Sequence, residues 1–189
     1  MFVVFEGLDR VGKSTQCRLL YDHLKTKMDV TCTRHRFPNR ATPIGTLLDH
    51  VLRGQSMDAY AKNALFAANR YEMCPILTED IDRGWVVCDR YTASGDVFAI
   101  LDGVEPSWSQ TLNAHLPTPD VTIYLRADPE YLTKRPGYGE EVYERLELQR
   151  RAHAMYEEMA VLENWVVVDV TDKTSLEIHH EILGHLFSM

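Results

Sequence analysis

The run Gly7-Leu8-Asp9-Arg10-Val11-Gly12-Lys13-Ser14-Thr15 holds two glycines separated by four residues, then Lys and a hydroxyl residue. This spacing does recognisable chemistry. Glycines let successive backbone N–H groups curl around a polyphosphate, Lys13 adds a point charge at a transferring phosphoryl group, and the Ser14 hydroxyl can ligate Mg²⁺. A helix starting at Lys13 would turn its positive N-terminal end towards the anion. The apolar run Phe2-Val3-Val4-Phe5 lies directly upstream, so the context is strand, loop, helix. The whole run from Gly7 to Thr15 is therefore the candidate nucleoside-triphosphate site.

The elements that must position these groups alternate along the chain. Short apolar runs predict strands at Phe2–Glu6, Val30–Arg34, Trp85–Asp89, Val121–Leu125 and Trp165–Val170. Most are continuous β-branched or aromatic runs, as expected for parallel strands buried on both faces. Helical stretches are predicted at Lys13–Lys27, Pro43–Gly54, Met57–Arg83, Trp108–His115, Pro129–Lys134, Glu140–Glu163 and Ser175–Phe187, with Pro75 kinking or splitting the third. The alternation implies an α/β fold, a doubly wound five-stranded parallel sheet flanked by helices. No repeat, linker or low-complexity segment divides residues 1–189, which are expected to form a single domain.

In such sheets ligands bind beyond the carboxyl ends of the strands. All five predicted ends carry charge: Asp9 and Arg10; Arg36 and Arg40; Asp89 and Arg90; Arg126 and Asp128; Asp172 and Lys173. Arg40, Arg70 and Arg90 form a second set of anion binders beside the loop. Two groups of phosphate binders imply two phosphorylated substrates and phosphoryl transfer between them, in which catalysis is positioning and charge neutralisation. No guanine-reading Asn-Lys-x-Asp is present.

Bulk properties limit the partners. The chain has 189 residues, 45% of them hydrophobic, with a net charge of −8 and a pI of about 5.4. An acidic surface argues against general binding to nucleic acid or anionic membrane. The four cysteines have neither CxxC nor zinc spacing, and Cys32 and Cys88 read as small buried residues in a reducing compartment. The N-terminus shows no signal, transit or membrane-spanning pattern, so a cytoplasmic location is expected. His179 and His180 read as surface helix residues.

Several stretches resemble the thymidylate kinase family: Phe5–Gln16, Arg36-Phe37-Pro38-Asn39-Arg40, Leu65–Glu72, and Asp89-Arg90-Tyr91 followed by Ser94-Gly95. Lys134-Arg135 with Tyr143-Glu144 resembles that family's lid, at about 135–143. The resemblance runs in family order over nearly the whole chain. It implies a P-loop NTPase-type nucleoside monophosphate kinase that moves the γ-phosphoryl of ATP·Mg²⁺ onto dTMP, acting as a homodimer packed through helices such as Met57–Arg83.

The resemblance also implies roles for particular residues. Arg10, Lys13 and Asp89 are the catalytic candidates, with Arg10 neutralising charge on the moving phosphoryl group. Ser14 and Asp89 are the magnesium candidates; Asp89 either orients water around the ion or engages the acceptor phosphate. Arg135 contacts the ATP base or phosphates, and Lys173 belongs to the loop around adenine. For dTMP the candidates are Asp9 at the 3′-hydroxyl, Phe37 as a wall, Arg40 and Arg90 on the monophosphate, Phe66 and Arg70 at the base, Ser94, Gly95, and Tyr143 against the sugar, where it disfavours a 2′-hydroxyl by crowding. Phe66 and Arg70 are one helical turn apart and share a face; by spacing alone they also suit a core Phe with a surface Arg. The lid's Arg is Arg135 at its start, which assigns the catalytic arginine to the loop. Gly137 and Gly139 would be the lid's hinges, and Val142 stands where many relatives carry charge. A deoxynucleoside kinase and a nucleotide sensor without chemistry are the competing readings; the arginine clamp and the intact Arg10, Lys13, Ser14 and Asp89 oppose them.

Overall fold

A computed structural model describes residues 1–135 and 143–187. The expectations for Gly137, Gly139 and Val142 lie outside the described residues. Five strands form one all-parallel sheet: β1 Phe2–Glu6, β2 Cys32–Arg36, β3 Trp85–Asp89, β4 Val121–Arg126 and β5 Val166–Asp169, in the spatial order β2-β3-β1-β4-β5. Eight helices are described: α1 Lys13–Lys27, α2 Pro43–Leu52, α3 Ala59–Arg83, α4 Thr92–Leu101, α5 Pro106–Asn113, α6 Pro129–Leu132, α7 Leu146–Leu162 and α8 Ser175–Phe187.

Strand β1 is central and buried throughout. Its side chains alternate between faces. Val3 and Phe5 enter one apolar cluster, with Leu20, Ile123 and Tyr156, while Phe2 and Val4 enter another, with Leu77, Val86 and Tyr91. Burying both faces is what makes the sequence a continuous apolar run.

Four expectations are corrected. Strand β2 begins two residues later than predicted, because Asp29 takes a left-handed φ of 52° and Val30 N–H still bonds back to Leu24 of α1. As an edge strand it reads Cys-Thr-Arg-His-Arg, without an apolar run to mark it. Pro75 does not split α3, which runs unbroken over 25 residues. The carbonyl that Pro75 leaves without its usual N–H belongs to Tyr71, an exposed residue. Helix α7 starts at Leu146, six residues after the predicted Glu140. His179 is buried, 5.7 Å from His23 by ring centroids, and burial lowers its pKa; only His180 is at the surface.

Helix α4 was not evident in the sequence. It has no capping side chain of its own, contains Gly95, and reads as the unperiodic run Val97-Phe98-Ala99-Ile100-Leu101. It begins directly after the end of β3 and brings Ser94, Gly95 and Phe98 over the carboxyl edge of the sheet.

Replacing Pro75 by Ala restores a backbone donor in the middle of α3. Thermal unfolding is expected to show a gain of up to about 3 kcal/mol; a loss would show that α3 needs the proline to follow the sheet.

Candidate active site

The loop between β1 and α1 is shaped by backbone constraints. Gly7 has φ 136°, and a Cβ there would stand 2.6 Å from the Leu125 carbonyl oxygen of the neighbouring strand. Gly12, with φ 108°, caps α1. Leu8 and Val11 are core residues, so only their backbone serves the loop. Lys13 is buried and donates to the carbonyls of Gly7 (3.0 Å) and Leu8 (2.5 Å). Burial pulls its pKa down to about 8, with Arg90 adding to the effect and Asp9, Asp89 and Glu6 opposing it. Thr15 lines the loop cavity beside Gly12 and Ser14.

Asp89 ends β3 next to the loop and accepts from the Ser14 hydroxyl at 2.5 Å. Arg36 Nε lies 3.8 Å from the same carboxylate. Arg10 is partly exposed, and its Nε donates to Glu144 at 2.8 Å. Arg135 Nη1 donates to the Arg10 carbonyl at 3.2 Å. Together Arg10, Lys13, Ser14, Arg36, Asp89 and Arg135 line one polar cavity.

A second cavity opens beside it, walled by Phe37, Pro38, Leu52, Phe66, Phe98 and Tyr143 and bearing Arg40, Arg70, Ser94 and Gly95. Asp9, Arg36 and Arg90 line both cavities. Arg90, in a left-handed conformation (φ 67°), donates from Nη2 to Asp9 at 2.5 Å and from Nη1 to the Gly7 carbonyl and the Ser94 hydroxyl. Burial opposes the charge on both members of this pair. For Asp9 it is outweighed by Arg90 and Lys13, which hold the carboxyl below its ordinary range; for Arg90 it is outweighed by Asp9, Tyr156 and Glu6, which hold the guanidinium above its own.

Arg70 is buried, and its Nη2 donates to Asn113 at 2.9 Å. A Cβ at Gly95 would stand 2.7 Å from that guanidinium, so the missing side chain is what admits Arg70. Phe66, one turn earlier on α3, is half-buried and presents its ring to the cavity. Arg40 Nη1 is held by Asp49 at 2.7 Å. Asn69 pins the segment carrying Phe37 and Arg40, accepting from Asn39 N–H at 2.7 Å and donating to its carbonyl at 3.2 Å.

The structure thus brings together nearly all the residues predicted from the sequence. Lys173 stands apart: it follows β5, pairs with Glu181 at 2.6 Å, and lines neither cavity. Ser94 lines the second cavity, but its hydroxyl is committed to Glu6, Arg90 and Tyr156. Five residues had no role assigned from the sequence. Glu6, fully buried, accepts from the N–H groups of Tyr91 and Ser94 and so caps α4 from the end of β1; burial raises its pKa against the pull of Arg90 and these bonds. Gln149 donates to the Tyr143 carbonyl and to Asp9. Glu144, Asn113 and Tyr156 hold Arg10, Arg70 and Arg90 in turn. The only local hint was Glu6, a carboxylate ending an otherwise apolar strand.

Residues 5–182 match the family model for thymidylate kinase. The chain belongs to the thymidylate kinase family. It is 37% identical over 184 residues to a thymidylate kinase of Dictyostelium discoideum, covering 96% of this chain and 82% of that one. It is 38% identical over 185 residues to one of Plasmodium falciparum, covering 96% and 87% respectively. Among solved structures, the thymidylate kinase of Candida albicans superposes with a TM-score of 0.84 at 27% identity, over 99% of this chain and 91% of that one. The chain is therefore a phosphotransferase with the P-loop fold, and its two cavities are to be read as those of a thymidylate kinase.

Ser94→Ala removes the hydroxyl shared by Glu6, Arg90 and Tyr156, leaving the buried Glu6 carboxylate short of a partner. Denaturant unfolding is expected to show a loss of about 1–3 kcal/mol. A change below about 0.5 kcal/mol, the range of ordinary surface substitutions, would mean that the network is not structural.

Proposed function

We propose that the loop cavity binds ATP, that the apolar-walled cavity binds dTMP, and that the γ-phosphoryl group passes directly between them to give ADP and dTDP. The observation that carries this reading is the shared wall: Asp9, Arg36 and Arg90 line both cavities, so two bound phosphate chains would meet there.

Transfer needs an oxygen of the acceptor monophosphate to attack the γ-phosphorus while the bond from that phosphorus to the bridging oxygen of ADP breaks. Lys13 and Arg10 supply positive charge where it builds on the transferring group. Arg10 comes from the loop itself, and its tether to Glu144 holds the guanidinium at the cavity mouth. Ser14 and Asp89 suit magnesium: one hydroxyl and one carboxylate, 2.5 Å apart at the N-terminus of α1, match an ion bound through few protein oxygens with phosphates and water completing the shell. Bound there with ATP, the ion would offset charge on the β- and γ-phosphates. Arg135 flanks the donor cavity. Lys173 remains the candidate for the adenine loop on resemblance alone.

On the acceptor side, Phe66 stacks on the base and Arg70 donates to its carbonyls. Arg40 and Arg90 take the monophosphate, Phe37 walls the pocket, and Asp9 receives the 3′-hydroxyl. Tyr143 and Gly95 shape the sugar and base ends. The lid expected at about 135–143 lies mostly outside the described residues. Exposed Tyr60, Tyr71 and Ile76 on α3 support a homodimer formed through that helix. A reducing, cytoplasmic setting accords with the four free cysteines, and among the described residues no helix is long and apolar enough to cross a membrane.

Coupled ADP release with ATP·Mg²⁺ tests the reading. Rapid turnover with dTMP and little with dCMP or thymidine is expected; turnover with thymidine, or with no acceptor despite ATP binding, would refute it. Arg10→Ala should lower kcat roughly 10³-fold or more while dTMP affinity holds; equal loss in both would remove Arg10 from the transition state. Phe66→Ala should weaken dTMP by about 1–3 kcal/mol, the usual worth of an aromatic–base stack, and spare ATP. Unchanged dTMP binding by calorimetry would take Phe66 out of the base site.

A further inference from the structure

Tyr143 closes the acceptor cavity next to Asp9. Gln149 joins the two, its Nε2 donating to the Tyr143 carbonyl at 2.7 Å and approaching Asp9 at 3.4 Å. The Tyr143 ring is held from several sides. Its phenol donates to Asp102 Oδ2 at 2.5 Å. The same oxygen pairs with Lys62 Nζ at 2.7 Å, and that ammonium stands 5.1 Å from the centre of the tyrosine ring. The Phe98 ring packs 4.6 Å away, centroid to centroid. Lys62 comes from α3 and Phe98 from α4, and Asp102 caps the C-terminus of α4. None of the three has a part in phosphoryl transfer or phosphate binding as set out above, yet all line the cavity.

The chemistry of sugar discrimination gives this clasp a use. A ribonucleotide differs from its deoxy counterpart by one added hydroxyl, and an apolar wall rejects an added hydroxyl only weakly. Crowding works only if the wall does not yield. A tyrosine whose hydroxyl is free can swing about its side-chain torsions; one bonded to a partly buried carboxylate gives up that hydrogen bond, and the contact of its ring with the ammonium, when it moves.

We propose that Asp102, held by Lys62, is a positioning residue that fixes the Tyr143 ring against the acceptor's sugar and so sets the preference for a 2′-deoxynucleotide. This rests on the reading of the cavity as the dTMP site.

The test is the ratio of kcat/KM for dTMP to that for ribothymidine 5′-monophosphate, measured by ADP release with the full chain. The ratio cancels losses common to both acceptors, including any passed through Glu144 to Arg10. Asp102→Ala is expected to lower it about tenfold, within the range one hydroxyl can supply, through a gain in ribonucleotide use. Tyr143→Phe breaks the same hydrogen bond from the other side and should lower the ratio equally; this one-atom change decides the matter if Asp102→Ala does not fold. Asp102→Asn keeps an oxygen that accepts from the phenol and should stay within about threefold of the wild type, well inside the tenfold effect. A ratio that is unchanged in Asp102→Ala and Tyr143→Phe, or that falls as far in Asp102→Asn as in Asp102→Ala, overturns the inference alone. Absence of any wild-type turnover with dTMP overturns the cavity assignment, and this inference with it.

Discussion

The partly buried ion pair between Asp9 and Arg90 is the constraint on which the rest of the site depends. It sits where the phosphate loop, strand β3 and helix α4 meet, and both residues face both cavities. A charged pair removed from water needs further hydrogen bonds to be tolerated. The surrounding groups supply them. Arg90 also donates to Gly7, Ser94 and Tyr156. The Ser94 hydroxyl donates a hydrogen bond to Glu6, which in turn caps α4. The last residue of β1, the start of α4 and a tyrosine of α7 are thus fixed by one polar network under the junction of the two sites.

That arrangement gathers positive charge at one place on an acidic protein. Positive charge is concentrated on a few arginines and one lysine, each aimed by a partner: Arg10 by Glu144, Arg40 by Asp49, Arg70 by Asn113 and Arg90 by Asp9. Preorganised charge of this kind costs little reorganisation when the phosphoryl group moves. The apolar walls of the second cavity come from α2, α3, α4 and the segments at Phe37–Pro38 and Tyr143, and the phosphate loop lies between β1 and α1. The two cavities are therefore built by different parts of the fold.

The sequence exposed some of this and concealed the rest for physical reasons. The phosphate loop is legible because its chemistry is local: two glycines, a lysine and a hydroxyl within nine residues. Strands β1 and β3 are legible because burial on both faces leaves continuous apolar runs. Edge strand β2 is legible only to within two residues, since one side meets solvent and its residues are mostly polar. Phe66 and Arg70 gain meaning from helical spacing only once the family resemblance supplies a base for them to hold. Several partners of the site residues were hidden because they lie far off in the chain: Glu144 is 134 residues from Arg10, Asn113 is 43 from Arg70, and Glu6 is 88 from Ser94. Helix α4 was hidden because its cap comes from β1 instead of from a residue beside it.

Direct transfer, as proposed, requires two nucleotides to occupy the adjoining cavities at once and to exchange a phosphoryl group across the Asp9–Arg90 junction. Initial rates over a matrix of ATP and dTMP concentrations test it most directly. Intersecting double-reciprocal lines, the signature of a ternary complex, are the result the shared wall predicts. Parallel lines, the signature of a phosphorylated enzyme that releases ADP before dTMP binds, would contradict it.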